Sequence, residues 1–394
     1  MIALRSHQAL TKHKRFGQLI DSPVFKPLAP VGESHTTRSR FSRRLSRVGA
    51  VAMEKPEIVN WFPGKDVTTL YPSLKGKCVL ISGGGGEGSL GLAASLQLAK
   101  LGARVYVTDY EKEISDSAVA KIREEVEGAD VISTPKLDLN SMAVIREFVD
   151  WFKTKEERLD ILINNTGTGY VDNEPFDTVD GIPGTSQVNF LGHYVLTRLL
   201  EDRFGSGCRI ITVASVFHRK GTAVPPEILL RQWEGASYPN CKLALVMFMK
   251  LLQEKWMDKG VICMALDPGA VYTRIWDSSR ITNSFPVNDI FRFFFQPPED
   301  GIGVYLHAAA SEDVAPGGYY TRGLFSTFLL TKPQGILLNI GFTIASFVDW
   351  RLRWALRGAF LADTRRVSIA PEALKHEVAQ EIWDECADIA KLPK

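Results

Sequence analysis

From Lys77 onward the chain alternates short β-branched runs with amphipathic helical stretches, and this rhythm limits the available folds more than any other feature. The segments KCVLIS, ARVYVTD, DVISTP, LDILIN, CRIITVAS and GVICMALDP each read as a strand. Helical stretches separate them, among them Leu90 to Leu101, closing at Gly102, and the long pattern Tyr238 to Lys259. Parallel strands need crossover helices, and those helices cover both faces of the sheet. The expectation is an α/β domain with a doubly wound parallel sheet.

Between the first strand and the first helix lies Ser82-Gly83-Gly84-Gly85-Gly86-Glu87-Gly88-Ser89-Leu90-Gly91, with the spacing G-x-G-x-x-G at Gly86, Gly88 and Gly91. Glycines at this place permit a tight turn, let the backbone approach a pyrophosphate and let the helix pack closely on the sheet. The helix N-terminus adds free N–H groups and a partial positive charge. Asp109 ends the second strand, where a carboxylate accepts hydrogen bonds from the adenosine ribose and repels a 2′-phosphate. The loop holds no Arg or Lys, and Glu87 adds negative charge, so the reading favours NAD over NADP. The plainer alternative is that Asp109 only starts a turn.

Tyr238 and Lys242 stand four apart in YPNCK, at the start of a helical pattern. Residues i and i+4 share a helix face, so phenol and ammonium can point at one site. A nearby ammonium favours phenolate and makes the tyrosine a usable proton donor and acceptor. Pro239 is tolerated in a first turn. Alone, such a pair is more often a solvated helix face.

Further pieces arrive in order: Asp138 in KLDL, NNTG at Asn164 to Gly167, Asn189 in VNFLGHYVLTRLL, Ser215 in ITVAS, and Pro268-Gly269 in DPGAVYT. Together with the glycine loop, Tyr238 and Lys242, they resemble the short-chain dehydrogenase/reductase family over about Lys75 to Tyr320. VNFLGHYVLTRLL and ITVASVFHRKG resemble its retinol-dehydrogenase-like branch, which acts on apolar carbonyls and alcohols. The resemblance implies a Rossmann-type domain and a hydride transfer between a nicotinamide cofactor and a carbonyl or alcohol carbon. It implies Tyr238 as general acid/base and Lys242 as the residue that bonds the nicotinamide ribose and lowers the tyrosine pKa. It implies Ser215 on the substrate oxygen, and Asn189 kinking its helix and holding a relay water. Asn165 and Gly167 would line the adenosine side, Asp138 would touch the adenine, and Pro268, Gly269 and Thr273 would border the nicotinamide. A homo-oligomer is implied in the same way.

The chain departs from the family's T-G-x-x-x-G-x-G: Ser82 replaces threonine, and two extra residues separate Gly83 from Gly91. A bulged loop that still holds pyrophosphate is expected. The stretch from Ser215 to Tyr238 is long, so an extra loop is expected beside the substrate pocket. Its His218, Arg219 and Lys220 read as a solvated charge run that an acidic substrate could also touch. Phe285, Phe291, Phe293, Phe294 and Phe295 would give the substrate lid an aromatic covering for a bulky apolar substrate, or else pack the core.

The ends differ in character. Residues 1–53 are basic, hydroxyl-rich and almost free of acids, which reads as a transit peptide to an organelle, plastid slightly favoured over mitochondrion, the plainer alternative being a disordered basic tail with no targeting role. A linker over 54–74, a nucleotide-binding catalytic domain over 75–321 and an extension over 322–394 complete the expected organisation. Within the extension, the apolar run and the arginines beside Trp350 and Trp354 suit peripheral membrane contact through 324–360, or else a pair of soluble helices covering the lid or a dimer contact. A formal net charge of +2 gives no global reason to expect nucleic acid. The five cysteines have no paired spacing, so neither a metal site nor a disulfide framework is read. Two other functions stay open: a double-bond reductase on a pigment- or lipid-type substrate, and an idle nucleotide-binding scaffold.

Overall fold

The computed structural model describes residues 64–169, 175–269, 271–273, 295–322 and 364–394. The expected transit segment, most of the aromatic lid and the 324–360 stretch lie outside the described residues.

Six strands form where β-branched runs predicted them: β1 (Cys78–Ile81), β2 (Arg104–Val107), β3 (Val131–Ser133), β4 (Leu159–Asn164), β5 (Phe204–Val213) and β6 (Ile262–Asp267). A seventh, β7 (Tyr319–Arg322), and an eighth, β8 (Thr364–Arg366), complete one sheet of order β3-β2-β1-β4-β5-β6-β7-β8. The first seven are parallel, and β8 runs antiparallel to β7. The chain reverses direction across the sheet between β1 and β4, which places a crevice at the carboxyl ends of those strands.

Side chains alternate across a strand, so each strand feeds two cores. Cys78 and Leu80 of β1 join Leu162, Ile210 and Ala265 on one face. Val79 and Ile81 join Ile163, Ile211 and Leu266 on the other. The first face is covered by α3 (Met142–Lys153), α5 (Gly192–Leu199), α7 (Tyr238–Trp256) and α10 (His376–Ala390). The second is covered by α1 (Leu90–Lys100), α2 (Lys112–Glu125) and α9 (Gly303–Ala310), the last preceded by the single turn α8 (Pro298–Gly301). Burial on both faces explains why the strands read as continuous apolar runs.

The helices begin where their capping residues stand. Ser89 accepts from Leu92 N–H at 3.1 Å to start α1, and Ser237 accepts from Asn240 N–H at 3.4 Å to start α7. Such a cap is worth about 1 kcal/mol. Pro239 sits in the first turn of α7, as the sequence allowed. The short α4 (Gly184–Ser186) runs into α5 through a π turn at Gln187–Leu191.

Residues 364–394 pair and pack with the sheet. They belong to the same compact unit as the sheet, which spans Pro56–Lys394. In sequence this tail reads as less regular, because its three-residue strand carries no periodicity. Trp383 of α10 settles between Tyr194 and Phe248, at ring distances of 5.2 and 5.8 Å. Arg198 lies 4.4 Å above the Trp383 ring and donates to the Pro393 carbonyl at 2.7 Å. The insertion between Ser215 and Tyr238 carries α6 (Pro226–Arg231), which packs against α10.

Candidate active site

The residues singled out from sequence gather at the carboxyl ends of the strands. Ser82 follows β1, Asp109 follows β2, and Asp138 follows β3. Asn165 and Gly167 follow β4, Ser215 follows β5, and Pro268 follows β6.

Ser82 ties the ends of β1 and β4 together. Its hydroxyl accepts from the N–H groups of Asn165 at 2.9 Å and Thr166 at 3.1 Å. In return, the Asn165 amide donates to the carbonyls of Ser82 and Gly83, at 2.9 and 3.0 Å. The serine therefore supplies the hydroxyl that a threonine would have supplied there. Asn165 is fixed in turn by the Tyr305 hydroxyl of α9, which donates to its Oδ1 at 2.8 Å. Sequence reading missed Tyr305, since nothing local links it to a residue 140 positions away.

The glycine loop differs in detail from its predicted registration. The tight turn is made by Gly83, with a φ of +63°, where an added Cβ would come 2.8 Å from Thr166 Oγ1. Gly91 performs the close packing expected of it, since a Cβ there would lie 2.0 Å from the Gly83 carbonyl oxygen. Gly86 has room, the nearest atom to an added Cβ being Ser89 at 3.6 Å. A Cβ on Gly88 would meet nothing within 4 Å, although its φ of +65° still favours glycine.

Asp109 is buried, with Oδ2 accepting from Gly85 N–H at 3.2 Å and Oδ1 from Tyr110 N–H at 2.9 Å. The carboxylate thus stands against the glycine loop, and Tyr110 beside it is exposed. Lys121 of α2 reaches within 3.8 Å of Glu87, a cation beside the loop that the sequence did not place there. Asp138 is half-buried and accepts from Asn140 N–H at 3.0 Å, with Lys136 at 3.3 Å.

Asn189 lies inside the π turn and is fully buried. Its amide donates to the carbonyls of Thr168 and Thr185, both at 3.0 Å, and its Oδ1 accepts from Thr168 N–H at 3.0 Å. The helix is irregular at this residue, where a kink is expected from the resemblance. Lys242 is buried, and its Nζ donates to the Val213 carbonyl at 2.9 Å. A Cβ on Gly167 would sit 3.2 Å from Asn189 Oδ1 and 3.4 Å from Lys242 Nζ, so Asn189, Gly167 and Lys242 share one site. Burial lowers the Lys242 ammonium to about 8, against the smaller opposing pull of Cys241 and Asp267.

Tyr238 opens α7, with Lys242 Nζ 5.5 Å from its ring centre. Burial pushes the phenol up from its ordinary value, and a hydrogen bond with the Ser215 side chain opposes that rise. The lowering expected from Lys242 is thus not produced by direct contact, because its ammonium is turned to the Val213 carbonyl. Ser215 also accepts from Phe217 N–H at 3.2 Å.

After β6, Asp267 is buried and accepts from Gly269 N–H and the Thr321 hydroxyl, both at 3.2 Å. Gln296 donates to the Pro268 carbonyl at 2.9 Å, and its own carbonyl accepts from Tyr272 N–H at 2.9 Å. These bonds hold the start of the Pro268 to Thr273 stretch. Phe295, the one aromatic of the expected lid among the described residues, is buried.

The turn after Ser215 is not the solvated charge run expected from its sequence. His218 is fully buried, and Arg219 donates to the Ser368 carbonyl; only Lys220 is exposed. Among the described residues no cluster of side chains has the makeup of a metal site, and all five cysteines are free and buried. No described helix is long and apolar enough to cross a membrane.

This arrangement has relatives among known proteins. A model of short chain dehydrogenases matches residues 77–284, more than half of the chain. Retinol dehydrogenase 12 of Mus musculus is 31% identical over 273 residues, covering 68% of this chain and 84% of that protein. Polyprenol dehydrogenase of Homo sapiens is 28% identical over 298 residues, covering 73% and 88%. An uncharacterized protein from Mycobacterium Paratuberculosis shares the fold with a TM-score of 0.58 at 21% identity, covering 84% of this chain and 98% of its own. L-sorbose reductase from Gluconobacter frateurii, solved with NADPH and L-sorbose, shares it with a TM-score of 0.51 at 20% identity, covering 65% and 97%. The chain belongs to the short chain dehydrogenase family, in its retinol-dehydrogenase-like branch.

Proposed function

We propose that this chain transfers a hydride between a nicotinamide cofactor and the carbonyl or alcohol carbon of a bulky apolar substrate. The observation that carries the proposal is the meeting of Tyr238, Ser215, Lys242 and Asn189 beside the ends of β4 and β5. The side chains fit a dinucleotide: the Gly83–Gly91 contact brings α1 against the loop, and the bare Gly167 lets its backbone lie close to Asn189 and Lys242. Ser82, Gly83, Gly86, Gly88 and Gly91 would hold the pyrophosphate, while Asp109, Asp138 and Asn165 would hold the adenosine side. Pro268, Gly269 and Thr273 would border the nicotinamide, whose chemistry when bound is to give or accept a hydride.

In the reducing direction, Tyr238 donates its phenolic proton to the carbonyl oxygen as the carbon becomes tetrahedral. In the oxidising direction it accepts the alcohol proton. Ser215, whose side chain opposes the rise of the phenol, orients the same oxygen. Lys242 stays largely protonated below about pH 8, so its charge favours the phenolate once the proton has left. Asn189 fixes the 168–169 backbone and holds the water through which the proton is replenished.

Asp109 supports NAD as the preferred cofactor, because a buried carboxylate beside the ribose site repels a 2′-phosphate. The apolar substrate rests on similarity to relatives named for retinol and polyprenol. A homo-oligomer, organelle import through residues 1–53 and peripheral membrane contact through 324–360 belong to the same proposal. The test is turnover of all-trans-retinal with NADH and NADPH by the wild type and Tyr238→Phe. Loss of general acid catalysis lowers kcat by about 10²- to 10⁴-fold. A Tyr238→Phe enzyme as fast as the wild type sinks the mechanism.

A further inference from the structure

His218, three residues after Ser215, has no part in the chemistry above. It sits in the 3-10 turn Val216–Lys220 with no exposed surface. Its Nδ1 is 2.7 Å from the Ser215 carbonyl oxygen, and a carbonyl can only accept, so Nδ1 carries the proton. Its Nε2 is 3.1 Å from the amide nitrogen of Ala370, which can only donate, so Nε2 is bare. Two backbone groups thus fix one neutral tautomer. The ring also packs 4.8 Å from that of Tyr319 on β7.

Among the described residues the Ser215 carbonyl accepts twice from this residue: from the His218 N–H at 3.0 Å and from the imidazole at 2.7 Å. On the far side, the chain returning from β8 is tied to β7, to the turn itself and to the residues just after it. Val367 N–H donates to the Tyr319 carbonyl at 2.9 Å, and Ala223 N–H donates to Glu372 Oε2 at 3.1 Å. Arg219 adds its bond to the Ser368 carbonyl. All of these acceptors and donors beyond residue 364 lie outside the 77–284 region that matches the family.

We propose that His218 is a positioning residue for Ser215, through which residues 367–372 of the returning chain set the Ser215–Tyr238 geometry. The proposal rests on the roles given above to Ser215 and Tyr238. A peptide held only by its own turn can tilt, whereas one also held by an imidazole anchored to a second segment cannot. Misplacing a reacting group by about 1 Å costs on the order of 100-fold in rate.

The test uses the full chain and three variants, with all-trans-retinal and NADH as probes. In His218→Asn the side-chain N–H can still reach the Ser215 carbonyl, and kcat is expected within about threefold of wild type. His218→Gln can accept from Ala370 but loses the donor to Ser215, and His218→Phe loses both. Both are expected to lower kcat about tenfold or more while NADH binding stays within about twofold. A purely structural role would instead lower kcat and Tm together, in the same order across the three. Equal losses in Asn and Gln, or kcat that tracks Tm, overturn the proposal. Nitrogen NMR of the wild-type imidazole gives an independent reading: a protonated Nε2 overturns it whatever the turnover. Retained turnover in Tyr238→Phe overturns the functional reading instead, which separates the two failures.

Discussion

Three histidines are sealed inside the sheet domain, and acid should unfold the protein through them. His193, His218 and His307 are fully buried, and burial lowers them from 6.5 to about 3, 4 and 4. His193 Nε2 faces the Thr166 carbonyl at 2.8 Å, and its Nδ1 has no partner among the described residues. Neither nitrogen of His307 has one, and its ring packs 4.9 Å from that of Tyr320. Each folded-state pKa lies below the unfolded value, so the unfolded chain binds more protons as pH drops below 6.5. Stability is therefore full above that value and is lost as pH falls toward the folded values. At pH 5 each histidine costs about 2 kcal/mol, or about 6 kcal/mol for the three. That is comparable to the whole stability of an ordinary domain, about 5–15 kcal/mol. Asp267, raised by burial, acts in the opposite direction, but as one carboxylate against three imidazoles. Urea unfolding at pH 8 and pH 5 measures the difference. In His307→Phe, which keeps a ring against Tyr320 and removes two bare nitrogens, the difference should shrink by about 2 kcal/mol. A stability changing by less than about 1 kcal/mol between these pH values, or a His307→Phe slope identical to wild type, refutes the reasoning.

Three further outcomes are expected. Gly91→Ala puts a methyl 2.0 Å from a backbone carbonyl and should cost more than about 3 kcal/mol with loss of NADH binding, whereas Gly86→Ala, with 3.6 Å of room, should fold normally; thermal unfolding and fluorescence titration of both check this. Asp109→Ala combined with Tyr110→Arg should move the kcat/KM ratio toward NADPH, since it removes the buried carboxylate and adds a cation at an exposed neighbour; an unchanged ratio rejects Asp109 as the selector. Trp383→Ala removes the ring that joins α10 to Tyr194, Phe248 and Arg198 and should cost about 3–5 kcal/mol, seen as a Tm lower by roughly 10 °C.

Much of the site is legible in the sequence. β1 to β6 follow from local β-branched runs, and Tyr238 and Lys242 share a helix face because 3.6 residues make a turn. The glycine loop is legible as a loop, but not in its registration. Which glycine is indispensable depends on what its Cβ would meet, and Gly91 meets Gly83 only after α1 has folded back over the loop. The phenol's environment is likewise out of reach of sequence, because it depends on where Lys242 Nζ turns and how deeply the ring is buried.

What the sequence determined alone is therefore the doubly wound order of strands and helices, because it arises from short-range periodicity, together with the candidate side chains of the site, which the resemblance to the family singled out. Only the tertiary structure decided that Tyr305 fixes Asn165 across 140 residues and that Ala370 reaches His218 across 152. It also decided that β8 pairs with β7 and that α10 packs into one of the two cores. Such contacts leave no local pattern, since the partners of a hydrogen bond or a packed ring are chosen by the path of the whole chain.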